Sequence, residues 1–409
     1  MRVDRAQGGR VGTRRSLAVG GALLVVVATT ACGSGSGPAA GGTTTPPPML
    51  LPFTGAFATV ALPPGIQALQ DVDCPSTSRC WAVGSTLGTA KAPSTAAIVT
   101  TSTGGTTWTV QSVPSTVGYL TGIACPTTKA CTAVGQIGTD GTGPGAVLTT
   151  ADSGGTWTLQ TVPTGTPDAT AVACPTVEDC MVLADVAGQV TTLTAGGSGA
   201  SWVAGGALPA TVASATDLSC TDADDCWATV ASPVGLGHVA GGVAATVDGG
   251  ATWAMQALPA GTGALQGIDC VPGAASATTT TSVSTPVRAD CTAVGTTATV
   301  TGATRVGEGL VLTTTTGGAT WAQASVTPNS ADLLAVSCGA GPCVAVGTTV
   351  STVPTAGLVV LTGSAPAGPS TWRRAETADV PLPLTGVSCR SLSACVVVGE
   401  TVSAHLSAA

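Results

Sequence analysis

The chain has 409 residues, of which only 8% are charged and 3% are aromatic, together with 56 glycines, 27 prolines and 15 cysteines. A length above about 300 residues indicates several domains, or a repeat architecture that spreads its core over many small units. With one Tyr and two Phe, the core must consist of Val, Ala, Leu and a few Trp, which favours closely packed strands. Fifteen cysteines beside two histidines indicate an oxidising compartment and argue against zinc sites.

The N-terminal segment has the pattern of a secretory signal. Residues 1–31 contain five arginines and one aspartate, and an apolar run, Leu17–Ala31, follows the arginines. A basic start, a short apolar core and small residues at its end are typical of an export signal, and the run is shorter than the roughly 18 residues of a transmembrane helix. The pair Arg14-Arg15 leaves the general and the twin-arginine export routes both open.

Cys32 directly follows this segment, and Gly-Ser-Gly-Ser-Gly comes after it. The arrangement resembles the lipobox of bacterial lipoproteins, although Thr29 stands where that family has a large aliphatic residue. The resemblance implies lipidation of Cys32 and an extracytoplasmic protein anchored to the cell membrane. The alternative is an ordinary cleaved signal that leaves a free thiol. Residues 32–51, rich in Gly, Ser, Thr and Pro, are predicted to form a flexible tether.

Charge restricts the partners of the mature chain. Removal of residues 1–31 leaves 20 acidic and 8 basic residues, a net charge of −12. An acidic chain without a basic stripe binds nucleic acid poorly and is repelled by anionic lipid headgroups. We therefore predict no nucleic-acid partner, and attachment to the membrane through the lipid anchor.

A repeat organises residues 52–409. Seven times, an apolar run leads into a cysteine, a short loop and a second cysteine, usually followed by Ala-Val-Gly or a near relative. The first cysteines are 51, 49, 46, 50, 68 and 51 residues apart, and the long interval reflects an insertion at residues 271–290. The pairs are Cys74/Cys80, Cys125/Cys131, Cys174/Cys180, Cys220/Cys226, Cys270/Cys291, Cys338/Cys343 and Cys389/Cys395. They use 14 cysteines and leave Cys32 as the fifteenth, which explains the odd count.

A second motif, which we call the Trp turn, lies between consecutive cysteine pairs. Its four best copies begin with Thr and end in Thr-Trp after two glycines: Thr101–Trp108, Thr150–Trp157, Thr246–Trp253 and Thr314–Trp321. Degenerate copies end at Trp202 and Trp372. The Trp turns resemble the Asp-box (BNR) repeat of sialidases and related propellers, with Asp152 and Asp248 at the acidic position and Thr103 and Thr316 replacing the acid elsewhere. The resemblance implies a structural role, in which the Asp accepts backbone N–H bonds and the Trp packs between blades.

Each repeat is predicted to form four short strands, named A to D in chain order. In the second repeat these are Leu120–Cys125, Cys131–Gly135, Ala146–Thr150 and Thr156–Val162. The whole unit resembles the photosystem II assembly-factor type of propeller repeat, and seven copies imply an all-β, seven-bladed β-propeller with four-stranded blades. The last repeat ends after a short strand C, Val402–Leu406, while residues 56–64 mimic a D strand. We therefore expect the N-terminal strand to complete the C-terminal blade and close the ring; an open solenoid is the alternative.

The cysteine pairs are predicted to be structural disulfides. Each pair joins the end of strand A to the start of strand B, and facing residues of antiparallel strands lie about 4.5–5.5 Å apart at Cα, within reach of a disulfide. A closed seven-residue loop contributes roughly 2.4 kcal/mol by chain entropy. Redox catalysis, the alternative, uses a Cys-x-x-Cys spacing that the sequence lacks.

The composition favours a binding protein over an enzyme. The alternative, a sialidase-like glycoside hydrolase, needs three arginines, a tyrosine with a partner glutamate, and an acid/base aspartate. The mature chain has one tyrosine, Tyr119, and six arginines, and its four glutamates fit no recognisable motif. We predict a monomeric, non-enzymatic scaffold without cofactors that binds a protein or another envelope ligand.

The propeller topology predicts where a ligand would bind. Strands alternate in direction, so the A–B and C–D turns lie on one side, with the disulfides, the Trp turns and the insertion; we call it the disulfide side. The variable B–C and D–A segments form the opposite, loop side. That side carries side chains that are uncommon in this sequence, and binding residues concentrate in loops; the candidate ligand residues are Tyr119, Lys91, Arg305, Glu308 and His238.

Two further segments carry a prediction. Asp222, Asp224 and Asp225 could hold Ca²⁺, but their loop lacks the length and the terminal Glu of an EF-hand, which favours a solvated acidic turn. The segment Thr278–Thr285 is predicted to be a disordered surface loop.

Overall fold

The computed structural model describes a chain built from strands and turns. The described residues are 56–88, 93–138, 143–195, 201–235, 238–273, 289–297, 300–301, 304–305, 308–326, 330–339, 342–349, 357–362, 371–374, 383–391, 393–399 and 402–407. They all belong to the second of the chain's two units, Leu50–Ala409. None of them forms a helix of the length and apolar character needed to cross a membrane. The predicted signal, Cys32, the tether, Lys91 and Thr278–Thr285 lie outside the described residues.

The strands follow the repeats. Strand β1 is Ala56–Ala61. The first repeat forms β2 (Ile66–Asp73), β3 (Cys80–Thr86), β4 (Ala96–Thr101) and β5 (Thr109–Gln111). The second forms β6 (Val117–Ala124), β7 (Cys131–Ile137), β8 (Gly145–Thr150) and β9 (Thr158–Leu159). The third forms β10 (Asp168–Ala173), β11 (Met181–Val186), β12 (Gln189–Ala195) and β13 (Trp202–Ala207). The fourth forms β14 (Ser214–Cys220), β15 (Asp225–Gly235), β16 (His238–Val247) and β17 (Ala254–Met255).

The remaining repeats are more elaborate. The fifth forms β18 (Thr262–Pro272), β19 (Ala289–Thr297), a small ribbon of β20 (Val300–Thr301) and β21 (Thr304–Arg305), then β22 (Gly309–Thr314) and β23 (Ala322–Gln323). A short strand, β24 (Ser325–Val326), precedes the sixth repeat, which forms β25 (Ser330–Cys338), β26 (Cys343–Thr349), β27 (Gly357–Thr362) and β28 (Thr371–Arg374). The seventh forms β29 (Leu384–Ser391), β30 (Ala394–Gly399) and β31 (Val402–Ser407).

Each repeat builds one antiparallel sheet in the order A-B-C-D, so the fold is all-β and propeller-like. In the sheet of the sixth repeat, β24 adds a fifth strand parallel to β28. In the sheet of the seventh repeat, β1 takes the D position and pairs with β31 from Ala56↔Ser407 to Ala61↔Val402. The first described strand of the chain is thus hydrogen-bonded to the last.

The strand bounds correct two details of the sequence prediction. Strand A of the second repeat begins at Val117, so Tyr119 lies inside a strand instead of before it. The variable B–C segment of the fourth repeat, residues 231–238, is expected from the sequence to be a loop, but strands β15 and β16 continue through it and pair as far as Gly235↔His238. Continued pairing gives the backbone groups of that hairpin partners, whereas a loop would leave them to water.

The core lies between neighbouring sheets. Trp81 and Ile98 of the first sheet share one buried cluster with Leu120 and Leu148 of the second, and Leu69 of the first shares another with Val398 of the seventh. Central strands are therefore buried on both faces, which explains why they read as continuous apolar runs in place of an alternating pattern. Each A strand packs beside the A strand of the next sheet, and β29 packs beside β2.

Candidate binding surfaces

The disulfides and the Trp turns lie together, as predicted. All seven cysteine pairs are bonded, with Cα atoms 4.0–4.1 Å apart. In the four Trp turns that the structure describes, a backbone N–H is bonded to the A–B connection of the same repeat: the N–H of Ser153 donates to the carbonyl of Lys129 at 2.9 Å, and that of Gly249 to that of Asp224 at 3.1 Å. In these repeats the described turns of the disulfide side are therefore joined to each other by backbone hydrogen bonds.

Most of the cysteines on this side are buried and do not form its exposed surface. Cys226 and Cys395 are 1% exposed, and Cys291 is 2% exposed. Each faces its bonded partner across strands A and B, in the pairs Cys220↔Cys226, Cys270↔Cys291 and Cys389↔Cys395. The other buried cysteines are Cys74, Cys80, Cys125, Cys131, Cys270, Cys338 and Cys389. These disulfides brace the frame from within and offer a ligand little surface to contact.

The burial of these cysteines has a packing origin. Cys226 shares a buried cluster with Trp253, and Cys291 shares one with Trp321. The inner strands that carry the bonds are covered by neighbouring sheets, whereas the spacing of two cysteines along the chain reveals only that they face each other. Since thiol–disulfide exchange requires access to the sulfur, burial also argues against a redox role.

Each Trp turn is held by its first threonine and by its acidic position. The hydroxyl of Thr150 accepts the Gly154 N–H at 2.9 Å, and Asp152 Oδ1 accepts from the Thr150 hydroxyl at 2.8 Å and from Thr156 N at 2.9 Å. Asp248 repeats this pattern and also accepts the Thr252 hydroxyl at 2.6 Å. These bonds, chiefly those from Thr156 and Thr252, lower the pKa of Asp152 and lower that of Asp248 to about 2.

Threonine takes over the acidic position in the other two turns. Thr103 Oγ1 accepts the N–H of Thr107 at 3.0 Å, and Thr316 Oγ1 accepts the N–H of Thr320 at 3.0 Å. A neutral hydroxyl thus makes the bond that Asp152 makes. The position works as a hydrogen-bond acceptor in a turn.

The tryptophans of the four Trp turns pack between sheets. Trp108, Trp157, Trp253 and Trp321 are 5–9% exposed, and each belongs to a cluster formed with the preceding sheet. Trp157 Nε1 donates to Gln111 Oε1 of the first sheet at 2.8 Å. Gln111 in turn donates from Nε2 to the carbonyl of Ser153 at 3.2 Å, so it fills the junction between these two sheets.

Sequence reasoning missed four carboxylates on the inner A strands. Asp71 and Asp73 lie on β2, Asp217 on β14 and Asp269 on β18. The Oδ2 atom of each accepts a backbone N–H of the next A strand, from Ile123 (2.8 Å), Cys125 (2.6 Å), Ile268 (2.8 Å) and Cys338 (2.6 Å) respectively. A carboxylate here joins one sheet to the next.

Burial dominates the electrostatics of these carboxylates. It raises the pKa of Asp71 and of Asp269 to about 7 and that of Asp217 to about 8, and it also raises the pKa of Asp73. Charge adds a smaller increment, because Asp71 raises the pKa of Asp217 and Asp73 raises that of Asp269. Sheets that are distant in sequence therefore place carboxylates within electrostatic reach of each other.

Serines make the same connection elsewhere. Ser219, Ser337 and Ser388 each accept a backbone N–H of the next sheet at 3.0 Å, from Cys270, Cys389 and Cys74. Like Asp73 and Asp269, each of these serines immediately precedes the first cysteine of its own repeat. The second and third repeats have Ala124 and Ala173 at this position, which cannot accept such a bond. The signal was present in the sequence as a recurrent Asp or Ser before cysteine.

A cleft opens between the second and third sheets on the disulfide side. Its volume is about 750 Å³, and its lining includes Leu159, Gln160, Ala195, Trp202 and Val177, with Asp152 at one edge. A smaller cavity of about 130 Å³, lined by Glu178, Asp179 and Asp222 among others, lies between the third and fourth sheets. Both flank the third sheet, whose Trp turn is degenerate.

The predicted ligand residues of the loop side are described only in part. Tyr119 is 37% exposed, and burial, together with the charge of Asp168, raises its pKa. Glu308 is exposed, and its backbone N–H donates to Thr297 Oγ1 at 3.2 Å. His238 lies in β16 and Arg305 in β21. Among the residues that the structure describes, no hydrogen bond joins Tyr119 to Glu308.

The acidic loop of the fourth repeat is closed by its own side chain. Asp222 Oδ1 accepts the backbone N–H groups of Asp224 and Asp225, at 3.0 Å and 2.8 Å. Within the described ranges, no group of three or more His, Cys, Asp or Glu side chains converges as a metal site requires.

Comparison with known proteins identifies the fold alone. No protein-family model matches the chain, and no curated protein matches it. A solved structure described as YCF48 bound to D1 peptide is similar with a TM-score of 0.50 and 12% identity, over 86% of this chain and 96% of that one.

Two other solved structures belong to enzymes. A catalytically inactive virginiamycin B lyase from Staphylococcus aureus with quinupristin is similar with a TM-score of 0.56 and 10% identity, over 86% of this chain and 99% of that one. A Hadza microbial sialidase matches with a TM-score of 0.45 and 10% identity, over 76% of this chain and 66% of that one, which is too distant to support an argument. The likenesses to the first two structures agree with a β-propeller.

Proposed function

We propose that this chain is an extracytoplasmic lipoprotein, anchored through Cys32, whose propeller is a non-enzymatic scaffold that binds a protein or another envelope ligand. In this proposal residues 1–31 are a signal, residues 32–51 a tether and residues 52–409 a closed ring of seven blades. The pairing of β1 with β31 and the packing of β29 beside β2 support the ring. Seven disulfides suggest an oxidising, extracytoplasmic environment.

The main support for this proposal is that the recurrent polar groups are hydrogen-bonded to the protein's own backbone. The carboxylates of the Trp turns and of the A strands accept backbone N–H groups of their own turn or of the next sheet. A glycosidase needs two carboxyl groups that face a substrate across a cleft. A stiff frame with variable connections is instead the arrangement of a binding protein. The candidate ligand face remains the loop side, with Tyr119 and Glu308.

A sialidase-like hydrolase is the weaker proposal. Its tyrosine nucleophile needs a partner glutamate, whereas the pKa of Tyr119 is raised by burial and then by the charge of an aspartate, Asp168. We expect fluorogenic sialosides not to be hydrolysed above blank. Turnover that disappears in Tyr119→Phe would establish the enzyme.

Two experiments test the main proposal. Affinity capture from intact cells, with partners identified by mass spectrometry, should recover an envelope protein with the wild-type chain. Metabolic labelling with a fatty-acid probe should mark the wild type and not Cys32→Ser. Label that persists in the serine variant would reject the anchor without touching the binding function.

A further inference from the structure

We propose that the cleft between the second and third sheets binds an extended peptide segment of a partner protein, in which Lys or Arg residues flank a large apolar side chain. This inference rests on the proposed binding function and adds a site on the disulfide side. The cleft is defined by Leu159, Ala195, Trp202 and Val177, and its volume of about 750 Å³ accommodates a large side chain together with adjoining backbone.

The cleft exists because one glutamine is oriented differently from its equivalent. Gln111, three residues after Trp108, spans the first junction by accepting from Trp157 Nε1 and donating to Ser153 O. Gln160 occupies the same position after Trp157, but its Nε2 donates to Thr149 Oγ1 at 2.7 Å and to Thr158 O, both in its own sheet. Among the described residues, no side chain takes at the second junction the place that Gln111 takes at the first.

Trp202 has a buried donor beside this space. The residue is 4% exposed and lines the cleft, and its Nε1 has no hydrogen-bond partner in the described part of the structure. A buried donor without a partner is costly, so a ligand carbonyl that reaches it gains a bond. Trp81, Trp108 and Trp321 also have buried indole N–H groups without partners, but none of these three lines the two cavities described above.

The third sheet also lacks one recurrent side-chain link to its neighbours. Ala124 and Ala173 replace the Asp or Ser that elsewhere accepts a cysteine N–H of the next sheet. Both junctions of the third sheet therefore lack that side-chain bond.

Charge selects a cationic segment. Asp152 lies at the edge of the cleft, and Glu178 and Asp179 follow Val177 in the adjoining loop. The neighbouring turns add Asp222, Asp224, Asp225 and Asp248. Against these seven acids stand two bases: Lys129 in the same loops, and Arg79 of the first repeat, which donates to Ser153 O at 3.5 Å. Such a field attracts cationic partners and repels acidic ones.

The rest of the cleft lining is apolar and suits an apolar side chain of the peptide. Val177 is 55% exposed at the mouth, and Pro126, Ala130 and Leu159 lie within the cleft. A buried anchor in such a pocket, surrounded by charges at the rim, is the usual arrangement of a small protein–peptide site.

The test is selection of random 12-residue peptides, displayed on phage, against the oxidised mature chain in detergent. The enriched peptides should carry Lys or Arg on both sides of a Leu, Phe or Trp. Their affinity, measured by fluorescence anisotropy, should fall at least about tenfold in Val177→Arg, which brings positive charge to the mouth, and in Thr158→Trp, which fills the cleft.

Matched controls separate the cleft from general effects. Thr77→Arg and Thr109→Trp change the exposed equivalents of those two positions in the first repeat, and both should bind the peptides as the wild type does. Peptides that are acidic, or that lose affinity equally in the controls, overturn the cleft proposal. Peptides that bind and are weakened by Tyr119→Ala but not by the cleft variants place binding on the loop side and leave the proposed function intact. No enrichment over an empty support rejects peptide binding by the scaffold altogether.

Discussion

A threonine hydroxyl and an aspartate carboxylate perform the same task in the Trp turns. Thr107 N donates to Thr103, and Thr156 N donates to Asp152, at 3.0 and 2.9 Å. The turn needs one acceptor at this position. The two residues that follow it have positive φ angles, +64° and +94° at Gly104 and Gly105, and +67° and +81° at Ser153 and Gly154. The charge strengthens the bond but does not create it.

Replacement of Asp152 tests this equivalence. We expect Asp152→Thr to keep the melting temperature within about 1 °C of the wild type, because a hydroxyl can accept the Thr156 N–H. Asp152→Ala should lower it by about 2 °C or more, because the turn loses that acceptor. Thermal unfolding followed by circular dichroism measures both variants, which lose the same charge. Equal losses in the two variants would show that the charge, and not the acceptor, is what matters.

Neighbouring A strands pack so closely that one position in each repeat is restricted. Three residues before the first cysteine stand glycine, alanine or the inner aspartates, among them Asp71, Gly122 and Gly386. A Cβ atom added to Gly386 would lie 2.9 Å from Asp71 Cα and 3.0 Å from Val398 Cγ2. At Gly122 the nearest atom would be Val134 Cγ2, at 3.3 Å.

These two glycines form a matched pair. We expect Gly386→Ala to lower the free energy of unfolding by about 1–3 kcal/mol, because the backbone of β2 must move to admit the methyl group. Gly122→Ala should cost less than about 1 kcal/mol, because a valine side chain can adjust. Urea unfolding of the two variants measures the difference. Similar values would mean that the junction of β29 with β2 is no tighter than that of β6 with β10.

Most of the strands could be predicted from the sequence because the repeat marks where they end. Cysteine spacing and turn residues located strands A to C of the second repeat to within a few residues, because strand ends there coincide with disulfides and turns. Strand D was predicted too long, Thr156–Val162 against Thr158–Leu159, since outer strands have neighbours on one side only. The inner bond of Asp73 and the orientation of Gln160 depend on the next sheet, and local pattern contains no information about that neighbour.

Over the whole molecule, acidic groups occupy two environments with opposite electrostatics. On the disulfide side Asp152 and Asp248 are exposed and bonded, and their pKa values are lowered. On the inner strands Asp71, Asp217 and Asp269 are bonded as well, but burial outweighs the bonds and raises their pKa values. The first group stays charged at every physiological pH, whereas the second changes its protonation near neutrality.

The inner carboxylates therefore predict that stability falls as pH rises. Unfolded carboxyl groups lose their protons near pH 4, whereas folded Asp71 and Asp269 keep theirs to about pH 7 and Asp217 to about pH 8. Between these limits the native state binds more protons than the unfolded state, so the free energy of unfolding decreases with pH. The lowered pKa of Asp248, about 2, acts below this window and does not oppose the trend.

We expect the melting temperature at constant ionic strength to decline from pH 5 to pH 8. Asp217→Asn should make the decline shallower, whereas Asp332→Asn, at an exposed position of the loop side, should leave the slope unchanged. A melting temperature that rises over this interval would mean that the inner carboxylates are ionised in the folded protein, and that their bonds to the next sheet outweigh burial.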